Sequence, residues 1–271
     1  GYNDYGPVWF DVQSNDFGDY SVIEEGSSIL SVWDEILTHF IREEYSQADE
    51  LLSDSLETFR YDLVFFQDTV LSRNFVLLRE RLDSTYVDNN NTVDPNDDVV
   101  GSFQNGWGLY ILNPDAVNKN LVLQVPHPCD DFVSPYVAME IFLQCDAFAF
   151  QIAGAGREVR WTEEGSYNNN KSLSDPSRNS NTVFHLFHKV VTDSLESSSL
   201  HSPVVLQIHS FDNESHQDII RSVVLSGGWD ASLANKPIRD LSDSHQDIVN
   251  LTQEYPIAAG EYGDHPELHV T

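Results

Sequence analysis

Lysine is almost missing from this chain. Only four of its 271 residues are lysine (Lys119, Lys171, Lys189 and Lys236), and all cations together number 14 against 44 acidic residues, a formal net charge of −30. Affinity for nucleic acid comes largely from lysine and arginine displacing counterions from phosphates. Nucleic acid and anionic membranes are therefore poor partners. The surplus carboxylates fit a solvated, self-repelling surface suited to salty surroundings, with attraction of cationic ligands as the alternative. Cysteine is scarce too: Cys129 and Cys145 leave room for one bridge and exclude a disulfide scaffold at this length. No nucleophile-elbow or protease signature surrounds Cys129 and nearby His127. No apolar run reaches the 18 residues of a membrane-spanning helix, and no basic start precedes an apolar stretch. The chain begins at Gly1, so any signal peptide is expected to have been removed already or left out of this sequence.

What is present is core-forming material. Hydrophobic residues make up 40% and aromatics 11%, which excludes a disordered chain unable to offset the entropy of ordering. The first 20 or so residues read as irregular. From Ser28, the spacing of Ile29, Trp33, Ile36, Leu37, Phe40 and Ile41 predicts a helix capped by Ser27 or Ser28. A second helix is expected over Gln47–Arg60, then strands at Asp62–Phe66, Phe75–Leu82, Trp107–Leu112, Leu121–Val125, Ala147–Ile152, Val204–Ile208 and Ile220–Leu225. Helices at Pro135–Gln144 and Thr182–Leu195 separate several strands, and residues 88–98 and 163–181 read as loops. This alternation argues for an α/β sheet with helices on its faces. We expect one domain over 1–271, with an N-terminal irregular and helical portion (1–70) before a catalytic core (71–271).

In open α/β sheets, ligands bind beyond the carboxyl ends of the strands. Two expected strands end there on histidine. One runs Leu121-Val-Leu-Gln-Val-Pro-His127-Pro-Cys-Asp130-Asp131, the other Pro203-Val-Val-Leu-Gln-Ile-His209-Ser210. Two histidines and a carboxylate form a standard catalytic zinc set with a fourth position left for water. The structural alternative is that both histidines bond to neighbouring loops while Asp130 or Asp131 starts the following helix. His185 and His188 lie in an apolar helix and suit core packing or support of a ligand.

The succession of segments resembles a known superfamily. It comprises Leu78-Arg79-Glu80, Gly106-Trp107-Gly108-Leu-Tyr, Val125-Pro-His127-Pro-x-x-Asp131-x-x-Ser134, Ile152-Ala-Gly-Ala-Gly-Arg157, Ser174-Asp175-Pro-x-Arg-Asn, Thr182-Val-Phe-His-x-x-His188 and Leu206-Gln-Ile-His209-Ser-Phe, over roughly residues 75–230. The order resembles zinc hydrolases of the carboxypeptidase A type and the related N-formylglutamate amidohydrolases and acyl-amino-acid deacylases, nearest to an uncharacterised bacterial branch. The resemblance implies a three-layer α/β/α fold around a mixed, mostly parallel sheet. It implies one zinc held by His127, a carboxylate and His209. Carboxypeptidase spacing selects Asp130 as the carboxylate; the bacterial spacing selects Asp131, which we prefer. Arg157 would polarise the scissile carbonyl or hold a substrate carboxylate. His188 and Asp175 are expected to support the ligands from behind. The general base should come from a late strand, where Glu267 is nearest, with Glu261 and Glu254 upstream.

The expected function is zinc-dependent hydrolysis of an amide or peptide bond in a small-molecule or peptide substrate. The alternative is a non-catalytic binding protein on the same fold with metal or base lost. A secreted or periplasmic setting, possibly saline, is the expected location.

Overall fold

The computed structural model describes residues 20–81, 86–87, 99–100, 103–131, 133–157, 159–162, 172–198, 203–210, 223–226, 248–250 and 267–270. The expected irregular start, the 88–98 loop, residues 163–171 of the 163–181 loop, and Glu254 and Glu261 lie outside them.

Helix α1 (Ser28–Ile41) begins where Ser27, in an extended conformation, accepts the Ile29 N–H on its hydroxyl at 3.2 Å. Trp33, Ile36, Leu37, Phe40 and Ile41 fall on one face and are buried. The single helix expected over Gln47–Arg60 is instead two, α2 (Tyr45–Asp54) and α3 (Leu56–Phe59). The break is at Ser55, whose N–H turns back to the Leu51 and Leu52 carbonyls, and Arg60 at φ 56° ends the segment.

The strands are β1 (Tyr61–Asp68), β2 (Arg73–Glu80), β3 (Tyr86–Val87), β4 (Val99–Val100), β5 (Leu109–Leu112), β6 (Asn118–Val125), β7 (Ala147–Ile152), β8 (Val204–Ser210), β9 (Val223–Ser226), β10 (Ile248–Asn250) and β11 (Glu267–Val270). Apart from the β3–β4 pair, they form one sheet in the order β1-β2-β5-β7-β6-β8-β11-β9-β10. The centre, β7-β6-β8-β11, is parallel; β1-β2-β5 joins it antiparallel, and β9 runs antiparallel to β11. Every residue of β7 is buried, as a parallel-sheet centre covered on both faces requires. The expected strand at Trp107 starts only at Leu109, because Gly106 (φ 63°) and Gly108 (φ 108°) curve the chain first.

Helix α4 (Ser134–Gln144) covers one face, with Ala138 and Phe142 against Phe75, Phe150 and Ile208. On the other, α1 and α5 (Val183–Ser198) pack Trp33, Phe40, Phe187 and Val191 over Tyr110, Leu112, Val122 and Val205. Three layers result, as expected. Trp33 is enclosed by Phe59, Tyr61 and Trp107, with ring centroids 4.8–6.1 Å away; burying a large apolar side chain contributes about 1.5–3 kcal/mol. Since α1 packs on α5 and β1 pairs with β2 along its whole length, residues 20–70 share a core with the described residues that follow. Among the described residues no helix is long and apolar enough to cross a membrane. The parallel strands β6, β7 and β8 end on the same edge of the sheet, and there the polar groups gather.

Candidate metal centre

His127 lies two residues beyond β6, and the chain then makes one turn before α4. The Asp131 N–H donates to the His127 carbonyl at 2.8 Å, and the Ser134 N–H to the Asp131 carbonyl at 2.7 Å. This i→i+4 closure carries the Asp131 carboxylate beneath the imidazole. His209, near the end of β8, reaches the same carboxylate from one strand away. Its Nδ1 is 3.0 Å from Asp131 Oδ2, and His127 Nδ1 is 3.6 Å from that same oxygen. The three side chains offer donor atoms all within 4.8 Å of one another, and each residue is at most 7% exposed.

The donor set fits a divalent cation. A tetrahedral zinc with ligands near 2.0–2.1 Å spaces its donor atoms about 3.4 Å apart, and the two separations from Asp131 bracket that figure. His127 is held from behind: its Nε2 lies 2.9 Å from Asp175 Oδ1 and 3.2 Å from Ser177 Oγ. Asp175, 1% exposed, also accepts the Ser177 N–H at 2.9 Å and pairs with Arg178 Nε at 3.3 Å. A carboxylate behind a ligating imidazole sets its tautomer and ring orientation.

Without a cation the two imidazoles respond differently to the same carboxylates. Burial opposes a charged His127, yet Asp175 and Asp131 outweigh it and raise its pKa to about 10. Burial wins at His209, whose pKa falls despite the bond to Asp131. Both aspartates are likewise opposed by burial but held low by the histidines. The same two carboxylates thus separate the rings, His127 pushed up and His209 pushed down.

The other expected residues fall elsewhere. Asp130 faces away: it accepts the Arg157 N–H at 3.2 Å and lies 3.4 Å from Arg157 Nε. The Arg157 carbonyl is in turn pinned by the Ser172 and Ser174 hydroxyls. His188 bonds not to the histidines but to Gln124, accepting at Nδ1 from Nε2 at 2.9 Å, while Gln207 donates to the Gln124 carbonyl oxygen at 3.0 Å. Cys129 and Cys145 are unbridged, and burial pushes the Cys129 thiol up to about 12. Glu267 opens β11, its backbone level with Gln207 and two residues short of His209; its side chain lies outside the described residues.

Sequence reasoning passed over Ser177, Arg178, Gln124 and Gln207. Ser177 and Arg178 stand inside the Ser174–Asn179 segment, so Asp175 was their signal. The glutamines sit at polar positions within otherwise apolar strands, three residues before His127 and two before His209, and a buried amide there needs a partner.

No family model matches this chain, and no curated protein is similar to it. Six chains of solved structures are similar at low level, two of them as follows. One is a metallo-carboxypeptidase from Burkholderia cenocepacia, 12% identical, with 84% of this chain and 59% of that chain covered and a TM-score of 0.29. The other is thrombin activatable fibrinolysis inhibitor (TAFI), 8% identical, with coverages of 87% and 67% and a TM-score of 0.28. The chain thus spans 59% of the length of the first. Neither score reaches the level at which a shared fold can be argued.

Proposed function

We propose that this protein is a metal-dependent hydrolase, with zinc as the ion, that cleaves an amide or peptide bond at the His127–Asp131–His209 cluster. One observation carries the reading: two imidazoles and a carboxylate converge, buried, at the carboxyl ends of neighbouring parallel strands, with a second carboxylate fixing one ring.

His127, Asp131 and His209 would hold the ion, which when bound supplies Lewis acidity to a carbonyl and to an attacking water. Asp175 accepts a hydrogen bond from the His127 Nε2–H and so leaves Nδ1 to face the ion. Arg178 and the Ser177 N–H keep Asp175 ionised and in place. Arg157, anchored on Asp130, is the proposed cation for a substrate carbonyl or carboxylate, suited to it by the planar fork of guanidinium. Glu267, on the strand beside β8, is the proposed base that takes a proton from water and returns it to the leaving amine.

A specific observation favours the second reading, a binding protein that has lost catalysis: Asp131 and Asp175 already contact His127 and His209 with no ion between them. Elemental analysis after dialysis against zinc, followed by a panel of N-acyl amino acids and dipeptides, separates the two. One zinc per chain with amine release, both lost in His127→Ala and His209→Ala, supports the hydrolase. Folded protein that takes up no zinc refutes it.

A further inference from the structure

Helix α4 packs mainly on β6, β7 and β8 and reaches β2 only near its start, where Phe142 meets Phe75 at 5.7 Å between centroids. Toward the other end of β2, on the same face, the sheet opens into a cavity of about 590 Å³, within the usual range for small-molecule sites. Two rows of the sheet build it. Leu109 stands in register with Arg79 on one side and Ile152 on the other; Asp62 pairs with Arg79 from β1; Leu77 lies one row further in. Leu77, Leu109 and Ile152 make an aliphatic wall, and Asp62, Arg79 and Arg81 stand at the mouth.

The wall is held by close backbone contact. A Cβ at Gly154 would fall 2.6 Å from the Gly108 nitrogen, and one at Gly108, where φ is 108°, would fall 2.3 Å from the Ile152 carbonyl oxygen. Only glycine lets the loops after β7 and before β5 meet there. Both glycines line the cavity.

The charges at the mouth are unequal in what remains to them. Asp62 is spent on Arg81, which approaches it at 2.5 Å. Glu80 is spent on the loop before β5, accepting the Asn105 N–H at 2.5 Å and the Trp107 N–H at 3.4 Å. Arg79 has no ion-pair partner among the described residues. In a chain with 14 cations against 44 acidic groups, a guanidinium over an aliphatic wall, with no ion pair among the described residues, suits a ligand that is anionic at one end and apolar along its body.

We propose that this cavity binds a small amphipathic carboxylate, with its aliphatic body against Leu77, Leu109 and Ile152 and its carboxylate on Arg79. The site is separate from the His127–Asp131–His209 cluster and does not require a metal there.

The test is calorimetric titration of the 271-residue chain with octanoate, and with octylammonium as the charge-reversed probe of equal length. The acidic surface as a whole favours octylammonium, so preference for the anion reports a cationic site, and loss of that preference in Arg79→Met assigns it to this one. Saturable one-to-one octanoate binding, tighter than octylammonium, is expected. Arg79→Met should weaken it at least tenfold and abolish the preference. Leu109→Trp should fill the cavity and remove binding, and Leu77→Phe, with folding checked by near-ultraviolet circular dichroism, serves the same end if the first variant misfolds. Absence of saturable octanoate binding, preference for octylammonium, or unchanged affinity in Arg79→Met would each overturn the assignment.

Discussion

Replacing Asp131 and Asp130 separately by asparagine separates two adjacent carboxylates by what each one holds. Asp131 is 7% exposed and lies 3.0 and 3.6 Å from two buried imidazoles. Removing its charge breaks a buried ionic cluster, a change that costs about 3–5 kcal/mol when a partner stays behind; His127 retains Asp175, so the lower end is expected. Asp130 has a side chain 26% exposed and pairs with Arg157 at 3.4 Å, a surface-type contact worth about 0.2–1 kcal/mol. Zinc sharpens the contrast. An ion present at a hundred times its dissociation constant adds about 2.7 kcal/mol to stability, and that increment should survive in Asp130→Asn and vanish in Asp131→Asn. Urea unfolding of the wild type and both variants, with and without zinc, reads both quantities in one experiment. The reasoning is refuted if Asp130→Asn is the variant that loses the zinc increment, or if Asp131→Asn keeps it.

Three further outcomes are expected. Asp175→Asn should weaken zinc binding by about 10–100-fold with the chain still folded, since it removes the acceptor that orients His127 rather than a ligand; dye-competition titration checks this, and unchanged affinity counts against the role. Burial raises the pKa of Glu80 from 4.5 to about 7 against its backbone hydrogen bonds, so the unfolded chain ionises first. Its contribution is full below pH 4.5 and is lost as the pH rises to about 7, about 3 kcal/mol at 1.4 kcal/mol per pH unit; unfolding across that range should show a smaller loss in Glu80→Gln than in wild type, and equal slopes refute it. With a net charge of −30, the melting temperature should rise between 0.1 M and 1 M sodium chloride, as the screening length falls from about 10 Å to about 3 Å; a flat or falling value contradicts this.

The elements legible in the sequence are those whose burial is written in a local period. Helix α1 announces itself through Trp33, Ile36, Leu37, Phe40 and Ile41, and β6, β7 and β8 through short apolar runs, each within a few residues of its observed bounds. The α/β class follows from their alternation, because each strand needs covering on both faces. The histidines at the ends of β6 and β8 could be singled out for the same reason: an apolar run stopping at a polar ring marks a strand leaving the core.

The tertiary structure decided what depends on groups far apart in the chain. Whether Asp130 or Asp131 faces the histidines turns on one hydrogen bond, Asp131 N–H to the His127 carbonyl, and on Arg157 drawing Asp130 the other way. His188, spaced like a supporting group, is taken by Gln124 because the register of β6, β7 and β8 lines up Gln151, Gln124 and Gln207 in one row. The cavity beside Arg79 arises only where two glycine loops touch. Hydrophobic periodicity acts over a few residues and survives in any context. A side chain's direction depends on its strongest available partner, and strand order sets which partners are available.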